Sequence, residues 1–333
     1  MATPATAPAP TASGPVVVQW VFDTRPWWPD AVKTKDLETH AARALALLTE
    51  DERKNVLRYY HIRDAKMSLG SALLKHMVIA KFARVPWWDT TITRDERTKP
   101  IYQDPATGEI PVAFNVSHQA GLVALIAVHG YQGSGPVEVG IDVVCTSERR
   151  DRDHKVVFSD GWGTFVDMHS SVFSPSEVHY LKNEVVIREA SRLRGVSTPE
   201  DFTDYRLRCF YTLWCLREAY VKLTGEALLA DWLEELEFRN FRPPDPTADF
   251  SVPAREDVNE APGGRQVIRD QEIVFKGQRV DDANMVMRSL GPDFMICAVV
   301  RTPAKKEDGL SWHLGPFHRL SLEEILSFAE STI

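Results

Sequence analysis

The sequence predicts an α+β chain made of two similar α/β halves, and three observations carry that expectation. The stretch "TEDERKNVLRYYHIRDAKMSLGSALL" resembles the later "SPSEVHYLKN…LWCLREAYVKLTGEALL", so that Arg63-Asp64-Ala65 falls on Arg217-Glu218-Ala219 at an offset of 154 residues. Each block is later followed by an apolar, strand-like run, "LVALIAV" (122–128) or "FMICAVV" (294–300). At 333 residues and 44% hydrophobic content, the chain has room for two domains with sizeable cores. Two unrelated amphipathic helices can also look alike, and at this point that reading stays open.

The elements follow in order. "MATPATAPAPTASGP" (1–15) has neither the charged nor the apolar region of a signal peptide, and its Ala/Pro/Thr/Ser composition predicts a disordered tail. "VVVQWVFD" (16–23) reads as a strand. Residues 48–82 read as two helices, the first opened by a capping box in which Thr49 precedes Glu52 by three positions. Residues 87–118 are turn-rich with short strands, and 122–128 and 137–144 are strands separated by a Gly-rich turn. The polar stretch 145–171 is expected to be a long mobile loop. "SPSEVHYLKNE" starts a helix at Ser174 with Glu177 three residues on.

"WCLREAYVKLTGEAL" (214–228) is an amphipathic helix. Leu213, Leu216, Tyr220 and Leu223 form its apolar stripe, while Trp214, Glu218 and Lys222, four apart, stack along the other face. "LEELEFRNF" ends in a strand, 242–266 has the composition of a mobile insertion, "EIVFKG" and "FMICAVVR" are strands, and "LSLEEILSFAES" is a short helix. The boundary between the halves is placed at 140/141, giving subdomains 16–140 and 141–333.

Composition narrows the classes. No apolar run approaches the ~18 residues of a membrane span. The four cysteines show no paired spacing, which argues against zinc or a disulfide framework and for a reducing, cytoplasmic setting. Net charge is −8, yet residues 53–99 hold eleven Lys/Arg against four Asp/Glu. A basic segment in an acidic chain points to a localised anion site rather than general nucleic-acid affinity, although an ordinary solvated face has the same signature. There is no phosphate-binding loop, kinase catalytic loop, serine elbow or zinc signature.

The residues that could carry chemistry are scattered. Asp142 interrupts the apolar strand "VEVGIDVV", where a buried carboxylate is costly unless it is paired or bound to metal. Gly140 before it admits a close neighbour. Mg²⁺ needs few protein carboxylates because it keeps water and shares substrate phosphates. Ser117 and His118 in "FNVSH", Arg97, Lys99 and Pro100 in "RTKP", and Arg63 with Lys66 at i, i+3 are each able to meet an anion. Taken singly, each is more readily explained as solvated or structural.

Taken together and in order, "VGIDVV", "FSPSEVHYL" and "WCLREAYVKLTGEAL" resemble the 4′-phosphopantetheinyl transferases of the Sfp type, whose signature is Gly-(Ile/Val)-Asp, then Phe-(Ser/Ala)-x-x-Glu, then Trp-x-x-(Lys/Arg)-Glu-(Ala/Ser)-x-x-Lys. "RTKP…FNVSH" is similar to the family's upstream coenzyme A motifs, and the match runs from about residue 48 to 230. The long insertion between the halves and the ending "WHLGPFHRL" resemble fungal members.

The resemblance implies two α/β subdomains about a pseudo-twofold axis with the active site in the cleft between them. It implies that Asp142 and Glu218 hold Mg²⁺ (or Mn²⁺), that Glu218 is the catalytic base and that Lys222 contacts the coenzyme A phosphates. Arg63, Lys66, Arg97, Lys99, Pro100, Ser117 and His118 would grip the 3′-phosphate and adenosine end. Glu177 and Trp214 would support the site. Many bacterial relatives carry a second acid two residues after the aspartate; here that position is Val144.

The implied partners are coenzyme A and apo acyl or peptidyl carrier proteins of polyketide, non-ribosomal peptide or aminoadipate-reductase systems, with no nucleic acid, no membrane and a monomeric enzyme. Two rivals are a coenzyme A-binding module without turnover and a nucleic-acid binder using the basic segment. The first predicts normal coenzyme A binding without Mg²⁺-dependent transfer, the second steeply salt-dependent binding.

Overall fold

The computed structural model describes residues 14–186, 198–226, 230–255 and 265–333. The tail expected over 1–15 lies, for residues 1–13, outside the described residues, as do residues 256–264 of the insertion expected over 242–266.

The first half begins with β1 (Val16–Asp23), followed by α1 (Glu50–Leu57) and α2 (Ile62–Ile79). The α1 capping box forms as predicted, with Thr49 Oγ1 accepting from the Glu52 amide and the Glu52 carboxylate accepting from the Thr49 amide. The small hairpin β2 (Thr93–Arg94) and β3 (Pro100–Ile101) leads to β4 (Val112–Gln119) and β5 (Leu122–His129). β5 lies antiparallel between β1 and β4, and α2 packs on this sheet around Phe22, Leu69, Leu73, Val123 and Leu125.

The second half opens with β6 (Glu138–Cys145), then α3 (Arg150–Asp160), α4 (Trp162–Asp167), α5 (Pro175–His179) and the 26-residue α6 (Pro199–Thr224). β7 (Leu236–Arg239), β8 (Val267–Ile268), β9 (Glu272–Phe275), β10 (Gln278–Arg279), β11 (Ala283–Leu290) and β12 (Phe294–Arg301) follow. An antiparallel sheet in the order β6-β12-β11-β8 carries α6 on one face, and β10-β9-β7 forms a smaller sheet.

Strand alternation explains why "LVALIAV" is apolar throughout. Val123, Leu125 and Ala127 face the first core, whereas Leu122, Ala124, Ile126 and Val128 pack with Val139, Ile141 and Val143 of β6 and Ile296, Ala298 and Val300 of β12 in a third core between the halves. The even positions of β6 (Gly140, Asp142, Val144) consequently turn toward α6. Among the described residues no helix is long and apolar enough to cross a membrane.

Three expectations are corrected. Residues 145–171 are not a mobile loop but contain α3 and α4. Their polar residues are held by α6: Arg150 Nε and His154 Nε2 meet Asp204 Oδ1 at 2.8 and 2.6 Å, and the Tyr211 hydroxyl donates to buried Asp153. The second half does not keep the whole of 141–333. β13 (His318–Leu320) pairs in parallel with β1, satisfying a strand edge that would otherwise be open, and α7 (Leu322–Ser331) buries Ile325, Leu326 and Ala329 in the first core. β11 was not expected, because "ANMVMRSL" mixes apolar and polar residues. Its Asn284 side chain donates to the carbonyls of Gly309 and Trp312, and Arg288 Nη2 donates to that of Leu314.

Gly140 sets the depth at which α6 sits. A Cβ there would come within 2.2 Å of the Ala219 carbonyl oxygen and 2.7 Å of the Leu223 amide nitrogen, both main-chain atoms that cannot turn aside. Gly140→Ala is expected to lift α6 from the sheet and cost about 1–3 kcal/mol, measured as a lowered unfolding free energy in urea. A variant as stable as the parent would show that the helix has slack.

Candidate active site

The seam between the two sheets is built from side chains instead of a backbone ladder. On β4, Asn115 Oδ1 accepts from the Ile141 amide at 3.1 Å and Gln119 Oε1 accepts from the Cys145 amide at 3.1 Å. Between them Ser117, 5% exposed, donates from Oγ to Asp142 Oδ1 at 2.8 Å. Residues 115, 117 and 119 thus reach β6 with the period of a strand. Neither Asn115 nor Gln119 was singled out from the sequence, though a row of alternate polar residues in an otherwise apolar strand was the available signal.

Opposite this seam, α6 presents Trp214, Glu218 and Lys222 as a half-buried line, as their spacing predicted. Lys222 Nζ donates to Asp142 Oδ1 at 2.6 Å and to Ser117 Oγ at 2.9 Å. Burial works against its charge, but Asp142 and Glu218 outweigh burial and raise its pKa. Burial also raises the pKa of Glu218; the Asp142 carboxylate adds to the shift and Lys222 opposes it. The two acids and the lysine therefore lie within one electrostatic neighbourhood.

Their chemistry fits a hard cation. Among the described residues no group of three or more His, Cys, Asp or Glu is placed to hold a metal. Two carboxylates with Val144 beside them are too few for a protein-only cage, but they are the donor number Mg²⁺ uses when substrate phosphates and water supply the rest.

The other sequence-predicted residues divide. Arg97 Nη1 donates to the Thr224 carbonyl at 2.8 Å, and Lys99 Nζ to those of Leu223 and Val139 at 3.2 Å each. They cap the carbonyl end of α6 just where Gly225 takes the left-handed conformation that ends it. A side chain at Gly225 would meet Lys99 Cδ at 2.8 Å. Pro100 opens β3 behind them.

Arg63 and Lys66 share a helix face but diverge. Arg63 is exposed and pairs with Glu148 at 3.1 Å, whereas Lys66 is buried and donates to the carbonyls of Trp27 and Trp28. His118 stands exposed beside buried Ser117; crowding by the surrounding protein and then the Lys222 charge lower its pKa.

Glu177 is fully engaged on the far side of α6. Its carboxylate accepts from the Arg217 guanidinium, from the Phe238 amide at 2.7 Å and from the Ser174 amide at 2.8 Å. Arg217, 1% exposed, also donates to the Leu233 and Leu236 carbonyls at 2.7 Å. This pair pins the turn that carries Glu218. Trp214 stacks on Phe210 at 6.1 Å and meets Phe173 edge-on at 6.2 Å. One turn before Glu218, a cavity of about 110 Å³ is lined by Gln119, Val144, Asp153, Phe165, Tyr211 and Trp214, among others.

A strand acid and a helical Glu–Lys pair one turn apart thus lie together, with the cations Arg97 and Lys99 at the end of the same helix. Residues 35–130 match the family described as 4′-phosphopantetheinyl transferase, N-terminal, and residues 138–261 match the 4′-phosphopantetheinyl transferase superfamily. The chain is 46% identical over 318 residues to 4′-phosphopantetheinyl transferase 1 of Fusarium mangiferae, covering 96% of this chain and 97% of that protein. It is 33% identical over 311 residues to 4′-phosphopantetheinyl transferase NpgA of Emericella nidulans, covering 87% and 83%. It is also 24% identical over 222 residues to the human L-aminoadipate-semialdehyde dehydrogenase-phosphopantetheinyl transferase, covering 66% and 60%. The chain belongs to the 4′-phosphopantetheinyl transferase family.

The buried Arg217–Glu177 pair yields a prediction about the scaffold of this site. Arg217→Met leaves Glu177 buried without its cation and is expected to cost about 3–5 kcal/mol of stability by urea titration. Adding Glu177→Gln to that variant should recover part of the loss. If the single variant unfolds at the parental urea concentration, the pair does not brace the helix.

Proposed function

We propose that the protein transfers the 4′-phosphopantetheine arm of coenzyme A to a serine of apo carrier domains and releases adenosine 3′,5′-bisphosphate. The observation that carries this reading is the convergence of Asp142, Glu218 and Lys222 between β6 and α6, in a chain of this family.

Asp142 and Glu218 would hold Mg²⁺, or Mn²⁺ in its place, and the metal would polarise the diphosphate oxygens and neutralise charge developing there. Glu218 takes the proton of the carrier serine, directly or through a water, as the serine oxygen bonds to the phosphorus next to the pantetheine. Its burial suits that role, since a raised pKa brings a carboxylate nearer to working pH. The diphosphate P–O bond then breaks, and the electron pair leaves with the nucleotide phosphate, whose charge Lys222 offsets. The carboxylate, the lysine and the serine need only be positioned, and positioning supplies much of the acceleration in phosphoryl transfer.

The cations of the first half are the proposed grip for the adenosine 3′-phosphate. Arg63 and His118 are best placed for it because both are exposed. Lys66, Arg97 and Lys99 bond main-chain carbonyls and are proposed to act with them by shaping the rim. Ser117 acts through Asp142. Trp214 and Glu177 hold α6 in place from its two sides.

The two-sheet arrangement supports a cleft between subdomains related by a pseudo-twofold axis. The carrier partners proposed are acyl, aryl and peptidyl carriers, including those of aminoadipate reductase, in keeping with the name of the human relative. A cytoplasmic monomer suits this role.

Incubating an apo carrier domain with the protein, coenzyme A and Mg²⁺ should add about 340 Da to its serine by mass spectrometry, the mass of the transferred group. Glu218→Gln should lower the rate at least 10²-fold while coenzyme A still binds. An unmodified carrier would overturn the function, and full activity of the variant would overturn the role of Glu218.

A further inference from the structure

Asp142 Oδ1, on the carboxylate assigned above to the metal, carries two donors in the structure. Lys222 Nζ lies at 2.6 Å and Ser117 Oγ at 2.8 Å, and a bond of 2.9 Å between Lys222 and Ser117 closes the triangle. The two donors differ in freedom. Ser117 is 5% exposed, on a strand tied to β6 by Asn115 and Gln119, so its Cα is held beside Asp142 and its short side chain has no solvent to turn to. The Lys222 side chain is 27% exposed, sits in the last turn of α6 and has a flexible four-carbon stem. An ammonium and a divalent cation on one carboxylate oxygen repel each other and compete for it.

We propose that Lys222 is the resident counter-ion of Asp142 in the free protein and blocks the metal's place there, and that the coenzyme A diphosphate opens that place by drawing Lys222 onto itself. Ser117 is a positioning residue that keeps the carboxylate aimed while the lysine leaves. The inference rests on the reading of Asp142 and Glu218 as metal ligands. It makes metal and coenzyme A bind with positive coupling, each raising the affinity of the other. It also gives Lys222 two stations, one on the protein acid and one on the substrate. Metal alone then meets a closed site, and metal with coenzyme A an open one.

The test measures Mn²⁺ binding through the electron paramagnetic resonance signal of the free ion, with and without coenzyme A. Wild-type protein should bind Mn²⁺ weakly alone and about tenfold or more tighter with coenzyme A, the gain combining the opening of Asp142 with the phosphate oxygens that join the ion, while the Lys222 variants without coenzyme A read the opening by itself. Lys222→Met alone should bind Mn²⁺ about tenfold tighter than wild type alone, with a smaller further gain from coenzyme A. Lys222→Gln repeats this with a polar neutral side chain, and Lys222→Arg, which keeps the cation, should stay near wild type. If both neutral variants bind Mn²⁺ no tighter than wild type while wild type with coenzyme A binds it well, the competition is overturned and the metal reading stands. If wild type with coenzyme A binds no Mn²⁺, the metal reading falls and the proposal with it.

Discussion

The distance between α6 and β6 is the constraint on which the rest of the site depends. A helix normally packs on a sheet through a layer of side chains, but at Gly140 the main chain of α6 rests almost directly on the strand. Two residues along, that closeness brings Asp142 under the last turns of the helix, where Lys222 reaches it without crossing open water. Two residues further still, Val144 lies by Trp214 and Tyr211 around the cavity. The order glycine, acid, valine on the strand thus meets the order lysine, glutamate, tryptophan on the helix. Strand period and helix period coincide only because the two backbones are so close.

Two acid–base pairs sit on opposite sides of this helix and differ in kind. Arg217 and Glu177 are both 1% exposed by side chain, and every contact of the carboxylate is to a fixed group. Such a pair has little net stabilising value over an apolar equivalent, but losing one partner is severe, so it fixes the helix in a single position. Lys222 and Asp142 are 27% and 8% exposed, and the lysine can exchange its partner for one arriving from solvent. Immobility on one face is what allows exchange on the other, because a helix free to rock would let Glu218 and Lys222 follow the ligand instead of meeting it.

Much of this was legible in the sequence, for physical reasons that particular residues show. β1, the capping boxes at Thr49 and Ser174, and the line Trp214–Glu218–Lys222 follow from local periodicity and local hydrogen bonding, which the sequence carries directly. The parts that were not legible depend on partners far away in the chain. Residues 150–160 look like loop because their polar residues seem to want water, yet Asp153 and His154 are satisfied by Tyr211 and Asp204, more than 49 positions on. β13 belongs to the first sheet because β1 had an open edge, which no local pattern near residue 318 reports. Lys66 has the residue type of a phosphate site and Glu177 the place in the sequence of a supporting acid, but their charges are taken up inside the fold.

The same face of α6 also grades the polarity of the site. Its carbonyl end is closed by Arg97 and Lys99, which remove the helix's negative pole from any approaching phosphate. The last two turns carry Glu218 and Lys222, and the turn before them is aromatic, with Trp214 among Phe210, Phe173 and His169. Charge is thereby confined to roughly one helical turn. An acid at Val144 would extend it into the cavity wall of Phe165, Phe210, Tyr211 and Trp214, toward Arg149, which lines the same cavity, and away from Lys222. Valine at that position leaves Asp142 as the strand acid that Lys222 reaches, since Glu138 at the start of the strand is taken up by Arg301.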